Sequence, residues 1–230
     1  RRLLPHVEEN PLARLALAQA ALRHEDRDGA RRILERVVQA HPHQLAARTT
    51  LLMLLADARQ WDRCEEHVRA LLSLDPNHRL GNRVLATLQM ERGEYELAEA
   101  TYQHLLSFGE NPTTLNDLAY SIYLQGRPAE ALPLVRRAVD LNPLDAAALD
   151  TYGAILAEQG LLGEARQALE QAAELNPELP DIKVHLAVVA AAQGDEDAAR
   201  DWMEGVGDIE QLPPAVRDQA RILTRSLQNP

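Results

Sequence analysis

Apolar positions in residues 112–145 form two helical stripes separated by a break. Leu115, Leu118, Ala119 and Ile122 recur at the spacing of one helix face, and Ala131, Leu134, Val135, Ala138 and Leu141 repeat the pattern. The break contains Gly126, which supplies the left-handed residue that closes a helix. Pro128 follows, and its missing N–H costs nothing in a first helical turn. Asn142-Pro143 ends the second stripe, because a residue before proline is pushed out of the α region. The pattern predicts one helix over residues 112–125 and a second from Pro128 to the Asn-Pro pair. Pro133 falls inside the second and is expected to remove one hydrogen bond and bend the axis.

The same arrangement recurs along the chain at intervals of 33 or 34 residues. Ala30, Cys64, Ala98, Ala131, Ala165 and Ala199 form one series. Pro42, Pro76, Pro143 and Pro177 form another, with Glu110 where a proline would fall. Leu17, Leu51, Leu85, Leu118, Tyr152 and Leu186 form a third, usually followed by a small residue such as Ala119 or Gly153. Gly93, Gly126, Gly160 and Gly194 mark mid-repeat, where the first two units carry Glu25 and Arg59. Six two-helix units are expected at 11–44, 45–78, 79–111, 112–145, 146–179 and 180–206. Residues 1–10 read as the tail of an upstream helix or repeat. Residues 207–230 read as a C-terminal capping helix whose stripe is Val216, Ala220, Leu223 and Leu227. No single pair can bury its apolar face alone, so each must stack on its neighbour.

A 34-residue helix–turn–helix with Leu, Gly or Ala, a central Ala and a closing Pro resembles the tetratricopeptide repeat (TPR). The fourth and fifth units match over their full length and the others with lapses. The resemblance implies an all-α, right-handed superhelical solenoid whose first helices line a concave groove where ligands bind. It also places the groove-facing candidates: Arg83; Asn116, Asp117, Tyr120 and Tyr123; Asp150 and Thr151; and His185. Asn116 can pair with both the N–H and the C=O of an extended backbone. Asp117 and Asp150 would attract a cation, and the tyrosines offer flat contact area at low entropic cost. The lysine-rich carboxylate clamp of one TPR subfamily is absent, since Lys183 is the only lysine. The asparagine ladder of TPR glycosyltransferases is absent too.

Composition narrows the function. Alanine and leucine carry the core, and aromatic residues are only 3% of the 230, which favours helix over sheet. A net charge of −11 argues against nucleic acid, which binds through released counterions, and against an anionic membrane surface. No apolar run is long enough to span a bilayer. Cys64 is the single cysteine, so no internal disulfide forms. "HEDRDG", ending at Gly29, lacks the glutamate of a calcium loop. "HPH", His41 to His43, has no third metal ligand nearby. No nucleophile motif, metal set or cofactor loop is found. The expected protein is a non-catalytic scaffold, cytoplasmic or periplasmic, that takes a basic or neutral peptide segment. Arginine- and alanine-rich usage looks bacterial and suggests envelope or exopolysaccharide-export assembly. Two alternatives are the regulatory or substrate-recruiting region of a larger enzyme and a polysaccharide-binding domain. The chain starts at Arg1, as an excised or processed form would.

Overall fold

A computed structural model describes residues 10–228; the reading of an upstream repeat tail falls mostly outside that range. Among the described residues there are thirteen α-helices, one short 3₁₀ helix and no strand. The chain divides after Glu94 into two compact units.

The first unit holds α1 (Pro11–Arg23), α2 (Arg27–Ala40), α3 (Leu45–Asp57), α4 (Trp61–Leu74) and α5 (Arg79–Glu91). Asn10 starts α1 by accepting from Leu12 N at 2.9 Å, ahead of Pro11. Leu34, Leu51, Leu55 and Leu71 make one continuous core with Ala18, Ala30 and Cys64, all fully buried. Burial raises the Cys64 thiol, which nearby Arg63 only partly offsets.

The second unit holds α6 (Tyr95–Leu106), α7 (Pro112–Leu124), α8 (Pro128–Leu141), α9 (Ala146–Glu158), α10 (Leu162–Leu175), α11 (Pro180–Ala192), α12 (Glu196–Glu204) and α13 (Pro214–Gln228). Asn111, Asp145 and Asp195 cap α7, α9 and α12 through their side-chain oxygens. Within this unit α7, α9 and α11 each pack on the second helix of their own pair and on the second helix before it. Helix α8 runs through Pro133 as one element. The small residues sit where helices cross. Gly153 on α9 lies so close to α10 that a Cβ there would come within 2.5 Å of Leu169 Cγ and 3.1 Å of the Ala165 carbonyl oxygen.

The glycine turns share one geometry, with φ between 72° and 83° at Gly93, Gly126, Gly160 and Gly194. Glu25 and Arg59 adopt it as well, at φ 60° and 51°. The sequence lapses there, but the backbone does not.

Candidate functional site

Helix α7 presents Asn116, Tyr120 and Tyr123 at i, i+4 and i+7, so the three follow one another along one face. The two tyrosine rings lie 6.3 Å apart, tilted by 32°. Burial raises the Tyr120 phenol above its ordinary value, and the Asp181 and Asp150 carboxylates add to the shift. Tyr123 is raised by burial and then by Glu158, while a hydrogen bond from Gln219 opposes both.

Asn116 leaves its side-chain oxygen unpaired among the described residues. The equivalent residues one and two repeats earlier turn back to the proline loop: Arg48 Nη2 donates to Pro42 O at 3.0 Å, and Asn82 Nδ2 to Pro76 O at 2.9 Å. The fourth unit has Glu110 where that proline would be. Asn116 is only 8% exposed, and its Oδ1 is buried without a partner. A buried acceptor left unpaired costs about 1–3 kcal/mol.

Asp150 on α9 and His185 on α11 form a pair at 2.7 Å between Oδ1 and Nδ1. A carboxylate can only accept, so Nδ1 carries the proton. Burial alone would lower the His185 pKa, but Asp150 and then Asp181 overcome it and the net shift is upward. Gln219 pushes the same way, although its Oε1 falls outside hydrogen-bonding geometry.

The C-terminal segment folds onto this same face. Val206, Leu212, Val216 and Ala220 close over Val184 of α11, which is fully buried. Gln219 of α13 donates to Tyr123 Oη at 3.4 Å, 96 residues away in sequence. A cavity of about 80 Å³ remains among Tyr123, Glu158, His185 and Gln219.

A tetratricopeptide-repeat family model matches residues 21–83 and 156–222, and a second one matches 116–180. The chain belongs to the tetratricopeptide-repeat family. TPR proteins generally mediate protein–protein interaction, and the family is typically non-catalytic. The chain is 22% identical to the BBSome complex member BBS4 of Bos taurus over 212 residues; it is covered to 92% and spans 41% of that protein's length. Among solved structures it resembles YrrB, a TPR protein with an unusual peptide-binding site, at TM-score 0.55 and 21% identity, covering 82% of this chain and 97% of that one. It also resembles PilW, a type IV pilus biogenesis factor, at TM-score 0.70 and 16% identity, covering 93% and 98%. At these identities the likeness is one of fold. No helix among the described residues is long and apolar enough to cross a membrane.

The TPR fold brings Asn116, Asp117, Tyr120, Tyr123, Asp150 and His185 onto neighbouring first helices of the second unit. Arg83 is exposed on α5 of the first unit. Thr151 is buried and donates to Ala147 O within its own helix at 3.0 Å. His185 is buried behind α13 and engaged by Asp150, so it offers little to a ligand directly. Sequence reasoning missed Glu158, Asp181 and Gln219. Gln219 flanks Ala220 of the terminal stripe, but a stripe does not say which face it will cover.

Proposed function

We propose that this chain is a non-catalytic scaffold whose α7–α9 groove holds an extended segment of a partner protein. The unpaired side-chain oxygen of Asn116 carries the reading. Its Oδ1 is buried without a partner in a face otherwise made of Tyr120, Tyr123 and Asp117. A backbone N–H of a bound segment would satisfy it. The carboxylates of Asp117, Asp150, Asp181 and Glu158 line or surround this face, so a basic or neutral segment is favoured over an acidic one. Arginine- and alanine-rich usage supports a partner in bacterial envelope or exopolysaccharide-export assembly. The test is a photo-crosslinking residue at Asp117, with a matched one at exposed Glu164 on α10 as control. Capture of one protein from Asp117 alone supports the groove; equal capture from Glu164 counts against it.

A further inference from the structure

A second surface lies away from this groove, at the junction of the last two helix pairs. It is a cavity of about 590 Å³ over the end of α10 and the start of α11. Its floor is Ala173, Leu179 and Ile182, one wall is Trp202 of α12, and Glu174 and Glu178 stand on its rim.

The repeat explains why the cavity is open here. One junction earlier, Gln171 near the end of α10 reaches the Pro143 carbonyl at 3.5 Å and closes over the loop. The position 34 residues on is Gly205, which has no side chain. Helix α12 has nine residues where α8 and α10 have fourteen, so it stops about 7.5 Å short at 1.5 Å per residue. The equivalent of Lys183 at the earlier junction is Leu149, only 3% exposed. The equivalent of Trp202 is Ala168. Shortening α12 removes the cover, and the Ala-to-Trp change turns an indole into the gap.

The charges around the cavity are unbalanced. Lys183 Nζ is committed to the Gly205 carbonyl at 2.9 Å, and Glu170 is committed to Arg166 at 2.8 Å. Glu174 and Glu178 are exposed and make no ion pair or side-chain hydrogen bond among the described residues. An apolar floor, an aromatic wall and two unspent carboxylates are complementary to a guanidinium on an aliphatic stem. Its planar cation can stack on an indole and donate to carboxylates at once, which an ammonium does less well.

We infer that this cavity is a docking site for an arginine side chain presented by a partner protein, separate from the α7–α9 groove. The probe is a fluorescein-labelled tetra-arginine peptide, followed by anisotropy, with tetra-citrulline as the uncharged analogue. Because the whole chain is acidic, the comparison is between two charge-matched double variants of exposed residues: Glu174→Gln/Glu178→Gln at the rim, and Glu91→Gln/Glu164→Gln elsewhere. The rim pair should weaken tetra-arginine binding about fivefold, from two exposed charge contacts, and the control pair should leave it nearly unchanged. Gly205→Gln, which restores the missing side chain, should also weaken it. Equal weakening by the two double variants, undiminished binding by the rim pair, binding of tetra-citrulline as tight as tetra-arginine, or no binding at all would overturn the assignment. None of these results bears on Asn116 or its face.

Discussion

His185 Nδ1 lies 2.7 Å from Asp150 Oδ1, with the two side chains 6% and 14% exposed. The pair ties α9 to α11 beneath the terminal helix. The His185 pKa is raised in the folded state, so its contribution is full below the unfolded value of about 6.5 and is lost as pH climbs through the folded value. The groups facing the ring are Asp150 on α9, Asp181 on α11 and Gln219 on α13. Urea denaturation should therefore show stability falling from pH 6 towards pH 9. Asp150→Asn should flatten that fall and cost roughly 1.5–3 kcal/mol at pH 6. An identical pH slope in the variant would remove the pair from the account.

The α9–α10 crossing makes a prediction opposite to helix propensity. Gly153→Ala should gain up to about 1 kcal/mol from propensity alone. Instead its Cβ would meet the fully buried Leu169 side chain and the Ala165 backbone carbonyl. The expected result is net destabilisation. Gly163→Ala on α10 meets nothing within 4 Å and should be neutral or stabilising by a few tenths of a kcal/mol. Ala165→Leu, at the same crossing, should cost about 1–3 kcal/mol through overpacking. Thermal midpoints of the three variants give the ranking directly.

Glu25 and Arg59 hold a left-handed backbone that four later turns assign to glycine. That conformation costs an L-residue about 1–2 kcal/mol, partly offset by the greater freedom of glycine in the unfolded chain. Glu25→Gly and Arg59→Gly should each raise stability by about 0.5–1 kcal/mol. A lowered denaturation midpoint in both would contradict this.

Helix positions were readable because stacking imposes one steric demand on every copy. A small residue is needed at each crossing, a left-handed residue at each turn, and an interruption at each junction. The two departures at Glu25 and Arg59 kept the turn, because the stacked helices fix the backbone whatever side chain it carries. The candidate site was harder to read. His185 falls at a groove-facing offset, yet α13 covers it, and that fold-back includes a contact between residues 123 and 219 that no local pattern encodes. Asn82 and Asn116 hold equivalent places in successive repeats, but only the structure shows Asn82 bonded to its loop and Asn116 Oδ1 without a partner. Likewise, the cavity beside Trp202 arises from a helix that ends early, a boundary the repeat period does not set.

Calorimetric titration of the captured partner segment tests the central claim most directly. Asp150 is a poor probe, since its loss would orphan a buried histidine, so the variants are Asn116→Ala and Asp117→Asn. Truncating Asn116 should cost more than about 1 kcal/mol of binding if it is an anchor. Asp117→Asn should weaken a basic segment and reduce the salt dependence, since exposed charges are screened beyond about 8–10 Å at physiological ionic strength. Undiminished affinity in both variants, with folding intact, would contradict the account and move the partner off the α7–α9 face.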